Sequence, residues 1–474
     1  MAIMATLLPL LVIAAAQLML VLDDSIVNIA LPSIQRELGV DPVHLPWIVN
    51  AYILTFGALL LLGGRIGDLW GRRRTLQVGL ALFVVGSVVG GLGQNAEMLI
   101  AARGAQGVGA ALTAPNALAL IATTFSDRKT RDSALALYGA MSGLGIVVGL
   151  LLGGVLTDTL GWRWVFFINV PIGLVVLLGS RTLLAAAPHR GQLGALGAAL
   201  GTGGMVALVY AFTQFGEDGF TDPVALRLLG AAAVLLVAFV ASQSRSRHPL
   251  LPLSLVRDRN RAGAYLTMLL LAIGPMGTFY VITLHLQQVE GFTPLQTGAA
   301  WLPFAVGIVL GAGTAPTLLL QVAPRYVAAL GAMLSAGAAL WFSAISTDTS
   351  YWTHLAPAML ILALGFGLGV MALTQAAVYH VDSDKAGVAS ALLNSVQQIG
   401  VALGLAVLAG VAATVTAQPE YAAVDTARGL VAGYGTALTV AAGLLLAAAA
   451  LGLATLRGGV DDSTELEPVT SAAG

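Results

Sequence analysis

The sequence contains no cysteine and few charged residues. Because the 474-residue chain has no Cys, disulfides, thiol chemistry and cysteine metal sites are excluded. This absence is compatible both with a natural chain and with one engineered to lack cysteine. Only 9% of the residues are charged, whereas a soluble domain carries about 25%. Together with a hydrophobic content of 58%, this composition excludes a soluble globular protein and indicates a protein of membrane-spanning helices.

Signals for enzyme chemistry are also missing from the sequence. No phosphate-binding Walker loop is present, so ATP is not the expected energy source. No nucleophile–base pair or metal set falls at one depth, and the six histidines are scattered. They are His44, His189, His248, His285, His354 and His380. We therefore expect no enzymatic activity, no metal, no cofactor and no nucleic-acid partner.

Long apolar runs dominate what is present. They are continuous, unlike the alternating strands of a membrane barrel, and each is near the roughly 20 residues that a spanning helix needs. The 57 glycines suit close approach of helices in lipid. Polar breaks divide the runs into fourteen predicted spans. These are 5–31, 46–64, 76–94, 97–124, 133–157, 163–183, 192–215, 223–243, 261–287, 295–320, 326–346, 355–379, 387–415 and 430–456.

The basic residues predict how these spans are oriented. Most of the 22 Lys and Arg residues fall on the loops of one side, which the positive-inside rule assigns to the cytoplasm together with both termini. The span pattern predicts five regions. They are an N-terminal six-helix bundle (1–185), an inserted helix pair (186–243), a cytoplasmic linker (244–260), a C-terminal six-helix bundle (261–457) and a disordered cytoplasmic tail (458–474).

The loop between spans 2 and 3 has a specific pattern. It reads "GGRIGDLWGRRRTL" (63–76), in which glycines permit a tight turn and arginines can pair with an aspartate or with a helix end. The basic residues alone would serve as a topological anchor. The spacing of five residues resembles the loop 2–3 signature of the major facilitator superfamily. They are Gly64, Asp68, Gly71, Arg72 and Arg73.

Further motifs resemble the fourteen-helix drug:proton antiporter family of that superfamily. In "LDDSIVNIALP" (22–32) the acidic residue of the family falls on Asp23 and its amide on Asn28, and in "AARGAQGVGAA" (101–111) its buried arginine falls on Arg103. Four other stretches are similar to the family. They are "WIVNAYILT" (47–55), "GWRWVFFINVPIG" (161–173), "LQQVEGFTPLQTGAAWLP" (286–303) and "AGVASALLNSVQQIGVALG" (386–404).

The fifth span departs from this family in one respect. The antiporter signature there carries a proline between its glycines, but "GLGIVVGLLLGG" (143–154) has Leu150 after Gly149. Four glycines of the motif remain, and on their own they equally predict a plain packing seam. They are Gly145, Gly149, Gly153 and Gly154.

The resemblance implies an all-α fold of two six-helix bundles around a central cavity, with two extra helices between them and alternating access. It implies a proton-driven antiporter that exports lipophilic or cationic drugs. The alternatives are a proton-coupled exporter or importer of one metabolite and, less favoured, a receptor or scaffold that transports nothing. Lys occurs only twice, which suggests a GC-rich bacterial genome. For a bacterial protein with this many apolar spans, we expect a multi-pass protein of the inner membrane. We expect small molecules, protons and lipid as partners, and a monomer.

Two adjacent carboxylates in span 1 are the main candidates for proton coupling. Asp23, Asp24 and Arg103 fall at similar depths in spans 1 and 4, where an acid and an arginine offset the cost of each other's burial. We predict that Asp23 carries the proton, with Asp24 as the second candidate and as a group that attracts cationic substrate. The alternative is that Arg103 holds Asp23 permanently ionised to fix the packing of the helices. The cavity candidates are Gln17, Asn28, Tyr52, Phe56, Asn116, Met141, Tyr280, Trp301, Phe304 and Gln375.

Overall fold

Helices make up most of the described chain. This computed structural model describes residues 2–42, 44–125, 127–184, 194–218, 222–246, 249–381, 383–418 and 426–456. In that part of the chain there is no strand, and 13 helices are long and apolar enough to cross a membrane. A spanning helix satisfies its backbone hydrogen bonds internally, so this is the expected structure for such an apolar sequence.

The first half of the chain forms seven α-helices. They are α1 (Ala2–Leu38), α2 (Trp47–Trp70), α3 (Arg72–Gly91), α4 (Ala96–Thr124), α5 (Arg128–Thr159), α6 (Trp164–Phe167) and α7 (Asn169–Gly179). α1 packs along α5, and α4 packs on both α2 and α3. The predicted span 97–124 corresponds to α4, which is not among the 13 apolar helices and carries four buried polar side chains. These are Arg103, Gln106, Thr113 and Asn116.

Ten more α-helices follow. They are α8 (Ala195–Asp218), α9 (Pro223–Arg245), α10 (Leu253–Arg257), α11 (Arg259–Leu284), α12 (Pro294–Ala300), α13 (Leu302–Leu319), α14 (Pro324–Ser343), α15 (Ala356–Val378), α16 (Ser383–Thr416) and α17 (Thr426–Thr455). One π-helix (His285–Val289) follows α11 and another (Tyr351–Leu355) precedes α15. In this second half, α15 packs on α13 and α14, and α11 packs on α16 and α17.

Two predicted spans are interrupted helices. Span 163–183 consists of α6 and α7, and Pro171 explains the break because it lacks the N–H that would bond to the carbonyl of Phe167. Span 295–320 consists of α12 and α13, which meet at Trp301, and Pro303 lies in the first turn of α13. Both interruptions leave the two parts of the span adjacent in sequence, so each span remains one crossing segment by length and composition.

The helices α8 and α9 lie over the seam between the halves. They pack on each other, and α8 contacts α2 of the first half and α16 of the second. The rings of Trp47 in α2 and Tyr210 in α8 are 5.6 Å apart. On α9, Val234 and Val237 are each 69% exposed, as expected for a surface that faces lipid. In the last turn of α9, the Gln243 side chain accepts a hydrogen bond from the N–H of Leu250 at 2.8 Å and so holds the following linker.

The two halves pack on each other along α2 and α16 and along α5 and α12. They also meet at one end of the bundle, which carries residues 39–42, 44–46 and 290–293 and is called the closed end below. Gln287 donates to the carbonyl of Ile29 in α1 at 3.0 Å. Beside α1, the end of α5 packs on α12 so tightly that a Cβ added to Gly154 would lie 2.8 Å from the Cα of Leu295. Glycine is required at this contact because the two backbones approach so closely.

Candidate functional site

Asp23 and Arg103 form an ion pair inside the first half. Nη1 of Arg103 lies 2.5 Å from Oδ2 of Asp23, and both side chains are completely buried. Nε of Arg103 donates to the carbonyl of Ile48 at 3.0 Å, and the guanidinium lies over the ring of Tyr52, 4.3 Å from its centre. Because an isolated buried charge is costly, this pairing explains how a carboxylate and an arginine are both held among apolar helices.

Three further side chains complete this cluster, and sequence reasoning did not nominate any of them. Gln106 and Asn169 donate to Oδ1 of Asp23 at 3.0 Å and 2.6 Å, and Gln106 also donates to the hydroxyl of Ser87 at 2.9 Å. All three are completely buried. Gln106 and Asn169 lie within motifs quoted above, so a polar residue inside an apolar motif was the available signal.

Asp24 has a different environment from its neighbour. It is half-buried, and its Oδ1 is shielded from solvent without a hydrogen-bond partner among the described residues. The side chain of Asn28 donates to the backbone carbonyl of Asp24 at 2.9 Å rather than to its carboxylate. Adjacent residues on a helix point about 100° apart, which allows one carboxylate to be paired and the other to remain available.

The remaining cavity candidates fall into three groups by exposure. Gln17, Phe56 and Met141 are half-buried, and Gln375 is exposed. The others are buried, namely Asn28, Tyr52, Asn116, Tyr280, Trp301 and Phe304. The structure therefore does not bring the whole predicted set to one accessible surface, and in this conformation the buried members act as packing residues.

Two buried candidates have specific structural partners. Asn116 donates to the carbonyl of Gly63 at 3.0 Å and joins α4 to α2. Trp301 donates its indole N–H to Thr283 at 3.0 Å, and its ring lies 4.2 Å from that of Phe279. These contacts satisfy polar atoms that would otherwise be buried unpaired.

The loop between α2 and α3 is an ordered turn. Gly71 has φ +98°, a conformation that favours glycine. Arg72 pairs with Asp68 at 3.1 Å and donates to the carbonyl of Ala119 in α4 at 3.2 Å. Arg73 donates to the carbonyl of Leu183 at 3.1 Å. The remaining residue of the loop 2–3 signature, Gly64, lies beside α4, where an added Cβ would be 3.7 Å from Pro115.

The glycines of α5 face two different helices. Added Cβ atoms at Gly145, Gly149 and Gly153 would each lie within 3.0 Å of a side-chain carbon of α1. Gly154 instead faces α12 across the closed end. The sequence motif thus has two uses, since one face packs α1 closely and the other joins the halves.

The site offers hydrogen bonds and charge, with no cluster of metal ligands. No group of three His, Asp or Glu side chains within the described ranges could hold a metal ion. The Asp23 cluster instead presents one carboxylate with three donors, next to a second carboxylate that is half-buried. Such an arrangement can hold or release a proton, depending on whether the donors stay in place.

A family comparison agrees with this fold. Residues 13–405 match the model of the Major Facilitator Superfamily, and the chain belongs to that superfamily. Its fold is similar to that of the POT family transporter PepTSo, with a TM-score of 0.71 at 14% identity, over 94% of this chain and 97% of that one. A bacterial homologue of the lysosomal transporter Spinster gives 0.69 at 15% identity, over 95% of this chain and 97% of that one.

Curated relatives include named drug resistance proteins. The puromycin resistance protein pur8 of Streptomyces alboniger is 42% identical over 475 residues, covering 98% of this chain and 93% of that protein. The lincomycin resistance protein of Streptomyces lincolnensis is 36% identical over 397 residues, covering 83% and 82%. The tetracenomycin C resistance and export protein of Streptomyces glaucescens is 32% identical over 408 residues, covering 84% and 74%. This chain is therefore a multi-pass transporter of the Major Facilitator Superfamily that is similar to these resistance and export proteins.

Proposed function

We propose that the chain exports antibiotics or related lipophilic and cationic small molecules in exchange for protons. The names of the relatives support export of a drug, and the proton gradient serves as the energy source without a bound cofactor. The observation that carries the coupling mechanism is the buried Asp23 carboxylate, held by Arg103 beside the half-buried Asp24. No apolar packing role requires two adjacent carboxylates at this depth.

In this proposal fourteen helices cross the bacterial inner membrane, with both termini in the cytoplasm. The N-terminal bundle (1–185) and the C-terminal bundle (261–457) move relative to each other, and the inserted pair (186–243) lies at their seam. The closed end faces outward, so the conformation is accessible from the cytoplasm. The protein works as a monomer in lipid.

Asp23 carries the proton in this mechanism. In the closed conformation the Asp23 carboxylate accepts hydrogen bonds from Arg103 and from the amides of Gln106 and Asn169. When the closed end opens, water enters and these donors separate from Asp23, so that the carboxylate binds a proton. Asp24 attracts the cationic group of a substrate.

Transport by purified protein in liposomes tests this proposal. With an imposed pH gradient, the wild type should move puromycin, lincomycin or ethidium, and Asp23→Asn should abolish the gradient-driven flux while substrate binding persists. Asp24→Asn should weaken binding of cationic compounds more than of neutral ones. Undiminished pH-driven flux in a folded variant with Asn at both 23 and 24 would refute the role of the carboxylates.

The same liposome assay distinguishes a transporter of several drugs from a transporter that is dedicated to one compound. The puromycin resistance protein that is 42% identical makes puromycin the compound with which to test that alternative. Flux of puromycin without flux of lincomycin or ethidium would support that alternative. Flux of none of them would leave the drug-export proposal without support.

A further inference from the structure

A second group of buried ionisable side chains lies at the closed end of the second half. The π-helix His285–Val289 begins with His285, which is completely buried, and Glu290 follows it directly. Nε2 of His285 lies 3.4 Å from Oε1 of Glu290. Neither atom has a hydrogen-bond partner among the described residues, although both are shielded from solvent.

Other titratable groups face this pair from three directions. Tyr434 of α17 packs edge-on against the His285 ring, with 6.4 Å between ring centres. The others within electrostatic range are His354 of the second π-helix, Asp348 of the loop before it, and Tyr280 of α11, which lies near Tyr434. The packed segment α12 contains no titratable residue. Within the described residues, no arginine or lysine is among the groups that act on the pair, so no side-chain cation offsets the charge of Glu290.

The same segment holds the two halves together. Gln287 donates to the carbonyl of Ile29, and Gln288 donates to the side chain of Gln35 at 3.1 Å. Tyr434 in turn donates to Gln288 at 3.0 Å. Because a π-helix carries one residue more than an α-helix in the same turn, it directs neighbouring side chains to two sides. One side meets the ionisable pair and the other meets α1.

One added proton neutralises the charge of this pair. A neutral His285 can donate its own N–H from Nε2 to the ionised Glu290 carboxylate, but the pair then keeps a net negative charge at a position shielded from solvent. An added proton between Nε2 and Oε1 removes that charge. Burial and the charge of Asp348 raise the pKa of Glu290 above its usual value, which favours such a proton. Without the added proton, hydration on opening would relieve the cost of the shielded negative charge.

The geometry points to a second proton-binding site, His285–Glu290, whose proton stabilises the closed end and whose loss releases Gln287 and Gln288 from α1. Because the closed form binds the proton more tightly than the open form, acid favours closure and alkaline pH favours opening. This inference rests on the proposed function in that the closed end must open during transport, and it adds a proton site distant from Asp23.

The absence of cysteine allows a direct test on the full chain. Spin labels are placed at Asp158→Cys in the first half and Ala344→Cys in the second, both exposed, and their separation is measured in nanodiscs from about pH 5.5 to 8.5. In the parent, the ratio of open to closed populations should rise about fivefold over this range. In His285→Gln and Glu290→Gln the ratio should change less than about twofold.

Control variants separate this site from the other contacts. Gln288→Ala should open the closed end at every pH but keep the pH response. Asp23→Asn should keep and enlarge the response, because the proposed protonation of Asp23 on opening acts in the opposite direction. Glu290 is partly exposed, so Glu290→Gln serves as the main variant if His285→Gln does not fold. An unchanged pH response in the folded Glu290 variant, or no response in the parent, would overturn the inference.

Transport and spin-label measurements together distinguish failure of this second proton site from failure of the proposed function. If the parent shows a pH response that needs His285 but no pH-driven transport, the proton-coupled exporter is refuted and the gate site stands. If pH-driven transport occurs and Asp23→Asn alone removes the response of the closed end, the exporter stands and the second site is refuted.

Discussion

Asn169 donates a hydrogen bond to Oδ1 of Asp23 at 2.6 Å and thereby joins α7 to α1 across 146 residues of sequence. The same carboxylate receives Arg103 and Gln106, so three donors from two helices converge on one buried anion. Because a carboxylate offers about four acceptor positions, a proton can bind Asp23 beside these donors, but it weakens their hydrogen bonds to the carboxylate. Asn169 is the donor that comes from a helix other than α4, and it therefore reports on movement of α7 relative to α1.

Replacing Asn169 should change the pH dependence of transport. Asn169→Ala removes one donor to the carboxylate form, so the neutral form becomes less unfavourable and the pH midpoint of gradient-driven flux should move upward by about one unit. The matched control is Asn116→Ala, because Asn116 is also buried but donates to the carbonyl of Gly63. Flux measured against pH in liposomes should shift for Asn169 and stay in place for Asn116, and equal midpoints would contradict the coupling.

The loop between α2 and α3 should matter for transport more than for stability. The Asp68–Arg72 pair is exposed by 36% and 28% at its side chains, so removing it costs about 0.3–0.5 kcal/mol of folding free energy. We expect Asp68→Asn to lower flux at least about tenfold, since the pair orders a turn that also contacts α4 through Arg72. Asp158→Asn, an exposed acid at the other end of the bundle, is the control. If Asp68→Asn and the wild type show equal flux at equal surface expression, the loop serves only as a topological anchor.

The sequence predicted those site residues that stand out from their immediate neighbours in the chain. Asp23 and Arg103 stand out because a charge in an apolar run is rare. Gln106, Asn169 and Ser87 did not, since an isolated amide or hydroxyl in a helix usually bonds to its own backbone. Asn169 reaches Asp23 only after α6 and α7 have packed beside α1, which no local pattern encodes.

The fold was similarly accessible only in part. Apolar run length predicted most helix positions, because spanning helices must be apolar throughout. The breaks at Phe167 and Trp301 and the π-helix at His285 were not predicted. They follow from prolines nearby in the first two cases and from contacts with α1 and α17 in the third.

Cysteine scanning should place α9 away from the substrate path. Val234 and Val237 are mostly exposed on its outer face, so Val234→Cys and Val237→Cys should react with a lipid-soluble maleimide at rates that substrate does not change. Phe56→Cys is the comparison, because Phe56 is half-buried next to Tyr52, with 5.9 Å between ring centres. Substrate protection of both α9 positions, with none at 56, would mean that the inserted pair lines the cavity.

The contact between α1 and α5 at Gly149 should be sensitive to a single methyl group. An added Cβ would lie 2.8 Å from Cβ of Ser25 and 3.0 Å from the carbonyl of Leu22, so Gly149→Ala must push α1 away next to Asp23. We expect the change to destabilise the protein by about 1–3 kcal/mol and to lower proton-coupled flux.

Gly139→Ala on the same helix is the control, because an added Cβ there meets no atom within 4 Å. It should stabilise the helix by about 0.4–1 kcal/mol, since alanine has less freedom to lose on folding. Thermal unfolding and flux of the two variants, measured side by side, check both expectations, and a fully active, equally stable Gly149→Ala protein would show that α1 tolerates displacement beside its carboxylates.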